Sequence, residues 1–145
     1  MIRCLVFLLL LFPLVSCSVP TKQWAGENKD YLWTAMIAAA STPDYSSKDS
    51  RKRWIVIEND VDVNDQLGRI VVRRKLSRSL KLARQNEQID HREWFFVIKL
   101  LPKNPPTVTF DTTESQLVPV RLQDEANRYF MQVDALLHPL SQGSN

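Results

Sequence analysis

The chain is poor in the residues on which common catalytic and metal-binding motifs depend. Its 145 residues include only three glycines, two cysteines and two histidines. Three glycines are too few for most of the glycine-rich loops that cradle phosphates. Two cysteines exclude a disulfide-dense scaffold and a multi-cysteine zinc site. These shortages remove most motif-based arguments for an enzymatic function.

An excess of charge of one sign is also lacking. The chain has 19 lysines and arginines against 16 aspartates and glutamates, a net charge of +3. A dedicated nucleic-acid-binding domain carries a stronger basic excess, so we expect no nucleic-acid partner. Hydrophobic residues make up 44% of the chain and aromatic residues 9%, a composition that indicates one ordinary globular domain.

The N-terminal residues have the pattern of an export signal. Arg3 supplies one positive charge, and residues 4–15 form an apolar run interrupted only by Pro13. This run is shorter than the roughly 20 apolar residues of a membrane-spanning helix and is typical of a signal peptide. It ends in Leu14-Val15-Ser16-Cys17, which resembles the lipobox of bacterial lipoproteins.

The resemblance implies that residues 1–16 are removed and that Cys17 carries a thioether-linked diacylglycerol and an acylated amine. Two or three acyl chains would hold the protein firmly, because a single chain binds a membrane only marginally. Ser18 resembles the residue at this position in lipoproteins sorted to the outer membrane, which implies a cell-envelope location facing the periplasm. The alternative is an ordinary secretory signal cleaved near Cys17, which would give a soluble secreted domain.

The expected domain organisation follows from this signal. Residues 17–23 would form the lipidated cysteine and a short tether, residues 24–140 a single α+β domain, and residues 141–145 a frayed tail. The six residues 18–23 span at most ~20 Å when fully extended. We therefore expect the domain to sit close to its membrane.

Two amphipathic helices are predicted. The first covers residues 30–40, with Asn28 as its N-cap and Pro43 following its end. The second covers residues 119–138 and begins with a proline, which has no amide hydrogen to leave unpaired. The apolar positions of the first helix are Leu32, Ala35, Met36 and Ala39. Those of the second are Leu122, Ala126, Tyr129, Phe130, Val133, Leu136 and Leu137.

Four strands are predicted between these helices, over residues 53–63, 69–82, 92–101 and 107–112. In the first strand the apolar residues Ile55, Ile57, Val61 and Val63 share one parity, opposite the acidic residues Glu58, Asp60 and Asp62. The second strand competes with a helix over residues 76–85. The third is apolar on both faces, which indicates a central position in the sheet.

The order of these elements predicts the fold. Successive strands joined by short turns form an antiparallel meander, and two amphipathic helices can cover one face of it. The expected fold is therefore an α+β two-layer sandwich. We expect Trp54 and Trp94 to belong to its core.

No metal or cofactor is expected. After signal removal the chain retains His91 and His138, which lie too far apart in sequence for a metal-ligand motif. Residues 60–64 have the opening spacing of a calcium loop. The sixth loop position should be glycine but is Asp65, and the twelfth should be glutamate but is Val71.

A basic stretch is the one feature that suggests a binding surface. It contains seven cations and no acid: Arg69, Arg73, Arg74, Lys75, Arg78, Lys81 and Arg84. Such a stretch can contact an anionic lipid headgroup or an acidic envelope protein. The alternative is that Glu58, Asp60 and Asp62 on the neighbouring strand neutralise it through cross-strand pairs.

Together these features predict a membrane-anchored envelope lipoprotein whose domain binds or scaffolds another component without catalysis. Cys17 would be the anchor, and the basic stretch would be the contact surface. The alternative is a small envelope hydrolase that uses carboxylates such as Glu58 and Asp60, because clustered acids can form active sites.

Overall fold

The computed structural model describes residues 19–49, 53–80, 86–113 and 119–139. The predicted signal peptide, the lipobox with Cys17, the basic residues Lys81 and Arg84, and the tail lie outside these ranges. Seven elements follow along the chain: β1 (Thr21–Gln23), α1 (Lys29–Ser41), β2 (Ile55–Asn64), β3 (Arg69–Leu80), β4 (Gln88–Leu101), β5 (Thr107–Thr112) and α2 (Pro119–Leu137). Within the described ranges, no helix has the length and apolarity needed to cross a membrane.

The strands form one antiparallel sheet in the order β1-β5-β4-β3-β2. Strands β2 to β5 are the predicted meander, and both helices contribute to a single core with one face of the sheet. The predicted α+β class is confirmed. The predicted central position of the third strand is also confirmed, because β4 is the middle strand of the five.

The strand β1 was not predicted, and its residues fell within the expected tether. Thr21 pairs with Thr109 of β5, and Gln23 pairs with Thr107. The Trp24 amide continues the contact by donating to the Pro106 carbonyl at 2.9 Å. The expected start of the domain at Trp24 is therefore too late. Three polar residues are too few to show a side-chain alternation typical of a strand. Backbone hydrogen bonds to β5 hold them in the sheet instead.

The helices begin and end close to their predicted limits. The Asn28 side chain accepts hydrogen bonds from the amides of Asp30 and Tyr31, as expected for the N-cap of α1. All four predicted apolar positions of α1 are buried. In α2, Ala126, Tyr129, Phe130 and Val133 are buried. Leu136 is 46% exposed, so its predicted place in the apolar stripe of α2 is wrong.

An aromatic cluster holds the helices against the sheet. Phe96 on β4 and Phe110 on β5 have ring centroids 4.8 Å apart. Phe110 in turn contacts Tyr129 at 5.5 Å and Phe130 at 6.3 Å on α2. Because rings of this size bury a large apolar area, this cluster is a major part of the core.

The predicted face assignment in the first half of β2 is wrong. A β-bulge lies between Val56 and Glu58, where the register shifts relative to β3. The extra residue Ile57 reverses the alternation. Ile55 and Ile57 are therefore 61% and 63% exposed instead of half-buried. Val61 and Val63, beyond the bulge, pack against the core as predicted.

The second predicted strand is a strand as far as the structure describes it. β3 pairs with β4 continuously from Arg69 to Leu80, which excludes the alternative helix over 76–80. Residues 81–85 lie outside the described ranges. Trp94 is buried as expected, and Trp54 is half-buried against the core.

Candidate functional site

The β3–β4 hairpin extends well beyond the rest of the sheet. Thr112, the last residue of β5, lies opposite Phe96 of β4. Among the described residues, the preceding part of β4, from Gln88 to Phe95, forms strand pairs with β3 alone. At about 3.4 Å per residue this part is roughly 27 Å long. The start of β2 accompanies it, because Ile55 lies opposite Ser77. We call residues 53–57, 77–80 and 88–92 the projecting end.

The projecting end exposes large apolar side chains. Ile55 pairs with Ser77 and Ile89 with Ser79, so both lie on the sheet face opposite the helices. Ile89 is 65% exposed, and the bulged Ile57 is exposed to a similar degree. Single exposed apolar residues are common, but several at one strand end are typical of an interaction surface.

A groove crosses the sheet next to these isoleucines. Its volume is about 440 Å³, and it is lined by Ile57, Lys75, Leu76, His91, Arg92 and Glu93. The lining combines apolar, cationic and anionic groups. His91 is exposed in this groove.

A tryptophan–arginine stack lies on the other face of the projecting end. The guanidinium groups of Arg78 and Arg92 lie over the Trp54 ring, with their central carbons 4.5 and 4.6 Å from its centroid. Arg92 also lies 5.9 Å from the Trp94 ring centroid. Attraction between cations and ring faces stabilises this arrangement.

The two arginines of the stack differ in their anionic partners. The Nη2 and Nε of Arg78 donate to the Asp90 carboxylate at 2.9 and 3.1 Å. Arg92 has no hydrogen-bonded carboxylate among the described residues. Burial lowers the pKa of Arg92, and the neighbouring cations Arg121 and Arg78 lower it further, while the carboxylates of Asp90 and Glu125 oppose the shift. An oxyanion at its N–H edge would relieve this repulsion.

The basic stretch does not form a continuous cationic stripe. On the outer face of β3, the Nε of Arg73 donates to Glu93 at 2.6 Å and Lys75 pairs with Glu58. These hydrogen bonds raise the pKa of Arg73 and lower the pKa of Glu58. Arg69 lies at the opposite end of the strand, across from Lys99. Cross-strand pairing therefore neutralises much of the stretch, with β4 supplying partners that the sequence prediction did not consider.

We predicted Arg74 to be part of the partner-binding surface. This prediction is wrong, because Arg74 is not a surface residue. It is buried, and its Nε donates to the Asn59 side chain at 2.8 Å. Its Nη1 and Nη2 donate to the Tyr45 hydroxyl and the Ala40 carbonyl, both at 3.0 Å. These bonds join β2, β3, the end of α1 and the loop that follows it.

The network continues to a buried carboxyl group. The Tyr45 hydroxyl donates to Glu125 Oε2 at 2.7 Å. Burial raises the pKa of Glu125, although Tyr45 and Arg128 oppose the shift. Burial also raises the pKa of Tyr45. A cavity of about 10 Å³ lies beside Arg74 and Glu125, which is about enough for one water molecule. Because the hydrogen bonds of Arg74 and Tyr45 link α1, β2, β3 and α2, the network stabilises the fold.

Part of this network has a signal in the sequence. Arg74 is a cation among the apolar residues on the inward face of β3. Its partner Tyr45 lies 29 positions away, in the loop that follows α1. Neither Tyr45 nor Glu125 was predicted as a functional or structural site.

The carboxylates proposed for a hydrolase have an environment unlike that of a catalytic acid. Glu58 is ion-paired with Lys75, and that contact lowers its pKa. A general acid at neutral pH needs a raised pKa. Asp60 is exposed opposite Arg73 in the strand register.

The described residues hold no group of three or more histidine, cysteine, aspartate or glutamate side chains that could bind a metal ion. His138 Nε2 lies 3.3 Å from Glu27, near the end of α2. No protein-family model matches the chain, and no curated protein matches it with significant similarity.

Proposed function

We propose that the protein is a lipid-anchored component of a cell envelope whose domain binds another envelope component without catalysing a reaction. The projecting end carries this proposal. It combines exposed isoleucines, an open groove and a guanidinium that has no carboxylate partner in the described chain. Such a mixture of apolar and unpaired cationic groups is suited to binding a surface or a macromolecule.

The anchor proposal rests on the lipobox resemblance at Cys17. The Phe110 amide donates to the Pro20 carbonyl at 2.9 Å, so the chain is held to the sheet from Pro20 onwards. Three residue steps separate Cys17 from Pro20, which is at most ~11 Å. The free link between a lipidated Cys17 and the domain would therefore end at Pro20, not at Gln23. This shorter link would hold the domain nearer to its membrane than the predicted tether.

Metabolic labelling tests the anchor. Cells expressing the chain receive an alkyne fatty acid, and the purified protein is coupled to a fluorophore through the alkyne. We expect the wild-type chain and Cys4→Ser to be labelled, because Cys4 lies in the predicted signal peptide. We expect Cys17→Ser to be unlabelled. Equal labelling of the two variants, or none in wild type, would contradict the proposed anchor.

Photo-crosslinking in intact cells tests the binding surface. A photoreactive amino acid replaces Ile89 at the projecting end or Leu67 in the turn at the other end of β3. These two side chains are exposed to nearly the same degree, 65% and 68%. We expect a discrete protein or lipid adduct from position 89 and none from position 67. Indistinguishable adducts from both positions, or none from either, would count against this surface.

A further inference from the structure

We infer that the projecting end lies against the anionic surface of the membrane that holds Cys17. This inference rests on the proposed lipid anchor and names the component that the projecting end binds. Three properties of the fold carry it: the direction of β1, the length of the hairpin and the chemistry of its end.

The direction of β1 points the chain toward the projecting end. Gln23 lies opposite Thr107, and Thr21 lies opposite Thr109. The N-terminal end of β1 therefore points along β5 toward Thr112. Thr112 in turn lies opposite Phe96, on the side of β4 that leads to Gln88. Residues Val19 and Pro20 therefore lead away from the core in the same direction as the hairpin.

The hairpin is longer than the reach of the anchor. Pro20 is bonded to Phe110, which lies opposite Ile98 of β4. From Ile98 to Gln88 the hairpin continues for roughly 34 Å, whereas the link from Pro20 to Cys17 spans at most ~11 Å. Strands standing upright on the membrane would push Arg78 and Asp90 into the hydrocarbon, which is costly for charged groups. In the proposed orientation the sheet is therefore inclined to the membrane, so that the projecting end rests on the headgroups without entering the hydrocarbon.

The chemistry of the projecting end suits this position. Isoleucine favours the boundary with the acyl chains, which suits Ile55 and Ile89 on one face of the strand ends. Tryptophan favours the headgroup region, which suits Trp54 on the other face. The guanidinium of Arg92 is stacked on Trp54, which leaves its N–H edge available to a phosphodiester oxygen. Exposed Arg53 adds a second cation at the start of β2. Of the nearby acids, Asp90 is paired with Arg78, whereas Glu87 accepts a hydrogen bond from the Ser79 hydroxyl and keeps its negative charge.

Lipid quenching measures which end of the domain faces the membrane. The lipidated protein is purified in detergent and reconstituted into vesicles containing a headgroup-region quencher, with or without phosphatidylglycerol in a phosphatidylcholine background. Ile89→Cys and Leu67→Cys each carry one fluorophore. The only native cysteines are Cys4 and Cys17, and the proposed processing removes the first and blocks the second. The intact mass of each sample reports whether Cys17 is acylated.

We expect the label at position 89 to be quenched more strongly than the label at position 67, and most strongly in vesicles with phosphatidylglycerol. Acylated protein with equal quenching at the two positions would overturn the inference and leave the proposed anchor standing. If position 89 is unquenched in vesicles but crosslinks to a protein in intact cells, the partner is a protein and the inference is wrong. Protein without an acyl group would overturn both proposals.

Charge variants test the headgroup contact separately from the anchor. Arg53→Gln with Arg92→Gln removes two cations at the projecting end, and Arg69→Gln with Lys99→Gln removes two at the other end of β3. Removal of one cation near an anionic surface lowers the ratio of docked to undocked protein about fivefold. We expect the first pair to reduce quenching at position 89 and the second pair to leave it unchanged. Equal effects of the two pairs would overturn the headgroup contact; circular dichroism confirms that each variant is folded.

Discussion

At the scale of single residues, the core contains ionisable groups whose partners explain their burial. Arg74 donates to three acceptors inside the fold, and one of these, the Tyr45 hydroxyl, donates onward to Glu125. A buried charge without such partners would cost several kcal/mol. The sequence marked Arg74 as an interruption of an apolar strand. It did not reveal the partners, because they come from α2, β2 and the region after α1.

The raised pKa of Glu125 leads us to expect that the free energy of unfolding depends on pH. Its pKa is raised above the ordinary value of 4.5 in the folded state, so folding favours its protonated form. The free energy of unfolding contributed by Glu125 is therefore highest below pH 4.5. It falls as the pH rises from there to the raised pKa.

The variant Glu125→Gln removes this dependence, because glutamine accepts a hydrogen bond but does not ionise. Urea denaturation of both proteins between pH 4 and pH 8 gives the free energy of unfolding at each pH. We expect the stability of wild type relative to the variant to decline as the pH rises. A relative stability that increases with pH would show that the carboxylate form is favoured in the folded state, and a constant one would show that folding leaves the pKa of Glu125 unchanged; either would contradict the prediction.

At Gly68 the fold leaves no space for a side chain, so we expect substitution there to be destabilising. Its φ is +56°, and a Cβ there would lie 2.9 Å from the Leu100 carbonyl oxygen. Gly26 has φ +84° with no atom near the Cβ position, so it is a matched control. The positive φ alone costs an alanine ~1–2 kcal/mol. We expect Gly68→Ala to lower the free energy of unfolding more than Gly26→Ala in urea denaturation, and an equal loss would exclude the steric contact.

At the scale of elements, prediction succeeded where the apolar spacing was unambiguous. The α1 stripe of Leu32, Ala35, Met36 and Ala39 has helical spacing with a capping asparagine before it, and the helix lies within one residue of its predicted ends. β5 has its predicted limits. In these elements local capping, propensity and burial favour the same structure, so the sequence alone is sufficient.

Strand β4 begins at Gln88, four residues before its predicted start. The wrong face assigned to β2 and the missed strand β1 have different causes. Residues 54–57 of the chain are Trp, Ile, Val and Ile, so both faces are apolar there and alternation does not identify the buried one. The bulge at Ile57 determines which of these side chains are buried, because it sets the register of this part of β2 on β3. β1 has no apolar pattern and is stabilised by pairing with β5, a contact between distant parts of the chain.

Deletion of Ile57 tests whether the bulged residue is needed for the pairing of β2 with β3. Val56 pairs with Leu76 and Glu58 with Lys75, neighbours on β3. Deletion of Ile57 would therefore restore a regular ladder and leave both pairs intact. We expect the free energy of unfolding, measured in urea, to change by no more than about 1 kcal/mol.

Deletion of Val61 is the matched control within the same strand. It lies in a regular stretch where Val61 pairs with Val72, so its loss would turn one flank of β2 to the wrong face. We expect a much larger loss of stability than from deletion of Ile57. Similar losses from the two deletions would mean that the bulged residue is needed for the pairing of β2.

At the scale of the whole molecule, the candidate site depends on how the strands are staggered. The sequence predicted β3 and β4 as strands, but the extension of their hairpin past Thr112 follows from the register of β5 on β4. The projecting end was therefore not predictable from local patterns. The basic stretch was visible in the sequence, and its neutralisation by Glu93 and Asp90 follows from the register of β3 on β4.

The proposed orientation of the domain depends on the attachment of Cys17 to a membrane. The most direct measurement is the intact mass of the N-terminal peptide of protein isolated from the membrane fraction. We predict a peptide that begins at Cys17 and carries the mass of a diacylglyceryl group and an amide-linked acyl chain. A peptide without added acyl mass, or one that begins elsewhere, would contradict the anchor and remove the geometric argument for the projecting end.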